Sequence, residues 1–93
     1  VDANTQMDEK WRLVWEIVTH GAVKRDVSRK DLSSANLWRA DLSGAILRGT
    51  NLSVATLTGA YLSKADLTKA ILNVADLSGA ILDEADLSGA ARG

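Results

Sequence analysis

The chain has no cysteine and no phenylalanine, and only one histidine and one tyrosine in 93 residues. Without cysteine there is no disulfide, no thiolate metal site and no cysteine nucleophile. The lone histidine, His20, is the only imidazole available as a base. No apolar run reaches the length of a membrane span. No glycine-rich phosphate loop, zinc-ligand spacing or catalytic triad is present. Net charge is −1, so no strong field draws the chain to nucleic acid or an acidic surface. The charge is mildly uneven. Residues 1–30 carry six Lys/Arg against five Asp/Glu, while Asp76, Asp83, Glu84 and Asp86 have no base among them. Val1 rather than methionine opens the chain, which raises the expectation of a processed or excised piece of a longer protein.

Leucine and alanine are plentiful, and they are periodic. Leucine falls at every fifth position: Leu32, Leu37, Leu42, Leu47, Leu52, Leu57, Leu62, Leu67, Leu72, Leu77, Leu82 and Leu87. Two residues before each from Leu37 onward stands alanine, with Thr50 the single departure. On an α-helix five residues advance about 500°, so these leucines would smear over every face. On a straight strand an odd step sends successive leucines to opposite sides. Only a backbone that turns a corner every five residues keeps them facing one axis. Such a chain is a repeat solenoid, in which each unit buries its apolar side against its neighbours.

Upstream, residues 6–20 read as a helix. Met7, Trp11, Val14, Trp15 and Val18 share one helical face, with Leu13 and Ile17 beside it. Thr5 with Asp8 resembles a capping box, and Gly21 suits the C-terminal stop. The face must be buried, and the open end of the solenoid is the nearest apolar surface. Trp11, Val14, Trp15 and Val18 are therefore the expected cap. Asp26-Val27-Ser28 already fits the repeat frame, whereas Arg25 and Lys30 occupy the slot that later holds alanine, so they should snorkel at the rim. The expected division is residues 1–25 as lead-in and cap, and residues 26–93 as solenoid.

From Asp31 to Ala91 most units read A-(D/N/T/I/Y)-L-(S/T)-X. This pattern resembles the pentapeptide-repeat family, whose consensus is A-(D/N)-L-X-X, over about two-thirds of the chain. The resemblance implies an all-β solenoid, a right-handed quadrilateral β-helix of about three coils with an N-terminal capping α-helix. With four units per coil, residues twenty apart stack. The family suggests an origin among cyanobacterial or plant thylakoid-lumen proteins, or a periplasmic one, ahead of a cytoplasmic one. Some members are elongated acidic dimers that inhibit DNA gyrase by mimicking DNA. This chain departs from them, being shorter and nearly neutral, with Arg39, Arg48, Lys64 and Lys69 among its acids.

The corners carry a finer expectation. Glycine ends the unit at Gly44, Gly49, Gly59, Gly79 and Gly89, as a type II turn favours. Val54 and Val74 hold the same slot, and a β-branched residue at positive φ is strongly disfavoured. The edge bearing Ser34, Val54 and Val74 is therefore expected to turn differently. Thr50, pointing inward, should bond its hydroxyl to backbone.

Nothing here reads as an enzyme, a cofactor site or a metal site. His20 complements the helix dipole. Ser33, Ser43, Ser53, Ser63, Ser78 and Ser88 recur as corner chemistry without a base to activate them. Asp66 and Asp86 stack as a solvated ladder rather than an acid–base pair. Binding is the better prospect, through an unidentified protein partner. Trp38 beside Arg39 either leans on a neighbouring segment or anchors a partner. On another side Tyr61 and Ile81 stack, with Lys64 and Glu84 expected to pair nearby. The C-terminal coil has no covering helix in this sequence, so end-to-end homodimerisation is a further expectation.

Overall fold

The computed structural model describes residues 3–91, and side chains from Glu9 onward. Met7 and the Thr5–Asp8 capping box therefore lie outside the described side chains. Helix α1 spans Ala3–His20. It begins three residues before the expected start, so Thr5 lies inside it rather than at its cap. Gly21 ends it with φ 77°, and its N–H donates to Ile17 O at 2.8 Å. That is the left-handed stop for which glycine has no Cβ penalty.

After Gly21 the chain winds as a solenoid with a period of twenty residues. Parallel bridges climb one side from Asp26 to Ile46 to Asp66 to Asp86, and a second from Asp31 to Asn51 to Ile71 to Ala91. A third side carries Asn36, Thr56 and Asp76, and a fourth Asp41, Tyr61 and Ile81. Each side has one bridging position per coil, because a corner every five residues leaves no room for a longer strand. The vertical ladder has two bonds per side: Leu32 N–H donates to Asn51 O at 2.8 Å, and Asn51 N–H to Lys30 O at 3.0 Å. Winding starts earlier than the expected Asp26. Ala22 N–H already donates to Asp41 O, and both Ala22 and Val27 are buried. The small Ala22 replaces leucine because α1 itself occupies the adjoining interior.

The inward slots build the core. Leucines from Leu32 to Leu67 have no exposed surface, and Leu72 has almost none. Thr50 sits among them with its Oγ1–H donating to Val27 O at 2.8 Å, so its hydroxyl is not stranded. In the last coil Leu77, Leu82 and Leu87 are only partly buried.

Every corner uses one turn, and this corrects the expectation for the valine edge. Val54 and Val74 have φ 62° and 63°, like the glycines and like Ser34 at 62°. The bond from Ala55 N–H to Leu52 O closes a type II turn with Val54 in its left-handed position. The ladder outweighs the local preference. In this conformation Val54 N–H reaches Asn73 O at 2.9 Å, just as Ser34 N–H reaches Ser53 O. A different turn would aim that donor away from the stack and disturb the register of the whole side. The remaining strain is of the order of 1–2 kcal/mol per valine.

The cap also differs from expectation. Ile17 is fully buried and Val14 nearly so, with Leu13 packed beside them, but Trp11 is 44% exposed, Trp15 59% and Val18 51%. The helix is thus rotated so that its aliphatic stripe, not its aromatic one, plugs the first coil. Branched aliphatic side chains fit the narrow mouth formed by Ala22, Val27 and Leu32, whereas an indole would hold the helix away from it. Two ion pairs accompany this rotation. Glu16 meets Arg25 at 2.8 Å, and Lys10 Nζ lies 3.6 Å from Asp31 and donates to Ser33 Oγ at 3.2 Å. Arg25 and Lys30 are exposed at the rim.

Candidate interaction surface

The outward slots divide by chemistry. An aspartate or asparagine at the bridging position caps its own corner. Asp76 Oδ1 accepts from Ser78 N–H at 3.0 Å and from Ser78 Oγ–H at 2.6 Å, and Asp31, Asp66 and Asp86 do the same with Ser33, Thr68 and Ser88. These are Asx-turns, which explain why serine or threonine follows leucine so often. Hydrogen bonding to the hydroxyl two residues on, then to that residue's N–H, holds the carboxyls of Asp26, Asp31, Asp66, Asp76 and Asp86 below the usual range. The carboxyls of Asp66 and Asp86 are thus shifted in the same direction. Asp66 also pairs with Arg48 at 2.9 Å.

Corner residues add the cations. Between the first and second sides stand Arg29, Gly49, Lys69 and Gly89, and between the fourth and first Lys24, Gly44, Lys64 and Glu84. The glycines make room for the stems above them: a Cβ on Gly44 would meet Lys24 Cγ at 3.1 Å, and one on Gly59 would meet Arg39 Cγ at 3.1 Å. Among the described residues no ion pair joins Lys64 to Glu84; the nearest exposed pairing on this half of the molecule is Arg48–Asp66.

Trp38 lies on the third side, 54% exposed. The Arg39 guanidinium stands 4.5 Å from its ring centroid, a cation–π contact. Tyr61 and Ile81 bridge to each other on the fourth side and are both exposed. The corner holding Arg39 joins these two sides, so the structure puts all four residues on adjoining surfaces. His20 lies at the end of α1, edge-on to Trp15 with ring centroids 5.5 Å apart. An open hollow between α1 and the first coil is lined by Glu9, Lys10, Arg12, Glu16, Arg25 and Lys30. Two of its cations are already engaged by carboxylates, which leaves it a belt of ion pairs rather than a binding cradle. Among the described residues no group of three or more His, Cys, Asp or Glu converges as a metal site, and no described helix is long and apolar enough to cross a membrane.

Sequence reasoning missed the exposed ridge of Trp11, Trp15 and Val18. The signal was present in the rival stripe of Lys10, Leu13, Val14 and Ile17, which has the same helical spacing. What chooses between the stripes is the packing of Val14 and Ile17 onto the first coil, which helical spacing alone does not reveal.

Coils of twenty residues, four corners per coil and inward leucine on every side define a repeat solenoid whose variation is confined to its outer surface. The pentapeptide-repeat pattern matches residues 35–73 and 60–91, and the chain belongs to the pentapeptide-repeat family. It is similar to HetL from the cyanobacterium Nostoc sp. strain PCC 7120, a pentapeptide-repeat protein involved in heterocyst differentiation regulation, at 38% identity and TM-score 0.72. That match covers 73% of this chain but 32% of HetL, so the chain spans about a third of its relative. Rfr23 from the cyanobacterium Cyanothece 51142 matches at 25% identity and TM-score 0.56, over 76% of this chain and 63% of that one. A pentapeptide-repeat protein of the Arabidopsis thaliana thylakoid lumen shares 35% identity over 74% of this chain and 55% of its own, with a TM-score of 0.42. No curated protein matches.

Proposed function

We propose that this chain is a non-enzymatic protein-interaction scaffold, wound right-handed as a quadrilateral β-helix, whose contact surface is the corner carrying Trp38 and Arg39 with Tyr61 and Ile81 beside it. Pentapeptide-repeat proteins are generally structural or interaction modules, and a right-handed crossover is the rule for parallel strands in one sheet. The observation that carries the reading is the exposed indole of Trp38 held by Arg39. Tryptophan and arginine dominate interface energetics, and a ring already fixed loses little freedom on binding. The stacked carboxylates are committed to capping corners. HetL's part in regulation accords with binding rather than turnover.

The test is capture of binding proteins on immobilised protein, with Trp38→Ala in parallel. A partner retained by the wild type and lost with the variant supports the surface. Identical captures reject it.

A further inference from the structure

The cations of the solenoid are not spread evenly around its axis. Seven of the ten Lys and Arg among the described side chains border the first side. Lys24, Arg25 and Lys64 stand along its leading margin, Arg29, Lys30 and Lys69 along its trailing one, and Arg48 between them. Elsewhere on the described solenoid Arg39 is the one cation, against Asp31, Asp41, Asp76 and Asp83. The near-zero net charge hides this separation. Arg25 and Arg48 are paired, with Glu16 and Asp66. Lys24, Arg29, Lys30, Lys64 and Lys69 are exposed and make no ion pair among the described residues.

The two margins are built alike. The stems of Lys24, Arg29 and Lys69 lie against Gly44, Gly49 and Gly89, where a Cβ would meet their Cγ atoms at 3.1, 3.4 and 3.4 Å. Stems already held in this way lose little freedom when their head groups find a partner. Lys69 stands two coils above Arg29, and Lys64 two above Lys24, about 10 Å in each case. The aspartates between the rows are short and turned back on their own corners. Asp26 Oδ1 accepts from Ser28 N–H at 2.9 Å, and Asp66 Oδ1 from Thr68 Oγ1–H at 2.6 Å. With Ile46 and Arg48 they line an open hollow along the middle of the side.

From this layout we infer that the first side is a docking surface for an anionic lipid bilayer, on which the solenoid lies with its axis along the membrane plane. Flatness selects this partner. Both rows of cations reach a flat anionic surface together, while the aspartates stay back over the hollow. A convex duplex would bear on the centre instead, where the carboxylates repel its phosphates. Each Lys or Arg near an anionic bilayer raises partitioning about fivefold, so five of them support reversible binding without a span or a lipid anchor. The footprint ends at the fourth level, where Glu84 takes the column of Lys24 and Lys64, and Asp86 that of Asp66. This goes beyond the interaction reading above and does not rest on it. The third side faces away from the bilayer, which leaves Trp38 open to a partner.

Sedimentation with vesicles is the test. The protein should pellet with phosphatidylcholine vesicles holding about 30% phosphatidylglycerol and not with phosphatidylcholine alone. It should be released between about 20 mM and about 0.5 M salt. Lys64→Gln combined with Lys69→Gln should weaken partitioning about 25-fold, and Glu84→Lys should strengthen it at least about fivefold. Lys64 already takes the same φ in that column, so Glu84→Lys keeps the turn. Misfolding cannot imitate a loss in one variant and a gain in the other, and melting temperatures close to wild type confirm the fold of both. Equal binding to neutral vesicles, no binding to anionic ones, or indifference to the substitutions would overturn the proposal. So would tighter binding to duplex DNA or polyglutamate than to vesicles at equal charge, which would make the partner a nucleic acid or an acidic protein. Displacement by inorganic phosphate beyond that by chloride of equal ionic strength would overturn it too, as the mark of a discrete anion site.

Discussion

The middle coils and the last coil have the same inward sequence but for Thr50, and different interiors. Leu42 and Leu62 have no exposed surface, whereas Leu82, twenty residues on in the same column, is only partly buried. Ala60 and Ala80 differ in the same way. The pattern therefore sets the direction in which a side chain points, and neighbouring coils set how much that direction is worth. At the first coil α1 takes the neighbour's place, and Ile17 is as completely buried as any leucine of the stack.

The sharpest way to break this comparison is Leu62→Ala against Leu82→Ala. We expect about 2–5 kcal/mol lost at Leu62, because a hydrogen-bonded stack collapses poorly onto a cavity, and roughly 1 kcal/mol at Leu82. Equal losses in chemical denaturation would mean that burial does not govern the difference. Ile17→Ala should cost about 2–4 kcal/mol, while Trp15→Ala, on the outer stripe of α1, should cost less than about 1. The reverse order would show that the aromatic stripe faces the coil. Val54→Gly should raise stability by about 0.5–1 kcal/mol, the relieved strain less the added freedom of glycine in the unfolded chain. A loss there would mean that the valine methyls pack within the fold. The smallest effect concerns acid. Asp26, Asp31, Asp66, Asp76 and Asp86 have folded pKa values below their unfolded ones. Their contribution is thus complete above the ordinary carboxylate range near pH 4, and is lost as pH falls through the lower folded values. Melting followed from pH 7 to pH 2 should show a plateau and then a decline. Asp76→Asn, which keeps the capping oxygen but cannot titrate, should make the decline shallower.

The inward half of the solenoid was legible because a five-residue beat admits one solution, and Thr50 was legible because a buried hydroxyl must find a partner. The valine edge was misread because intrinsic φ preference is local, while the ladder bond from Val54 to Asn73 spans a coil. The cap was misread for a related reason: helical periodicity ranks Leu13 and Ile17 only slightly behind the tryptophans, and the packing of α1 on the first coil that settles the choice is a tertiary contact. Trp38 and Arg39 could be singled out by type, but their stacking could not be derived from adjacency.

The twenty-residue offset between bridged positions has a consequence for how such a chain tolerates changes of length. Inserting one pentapeptide leaves every later leucine inward and the core intact, yet carries every later outward residue one side further around the axis. An insertion between them would take Tyr61 out of Ile81's column. Only gains or losses of four units at once preserve the surfaces. The interior reads length in fives and the exterior reads it in twenties, so a duplication harmless to folding can erase a binding surface without altering a residue in it.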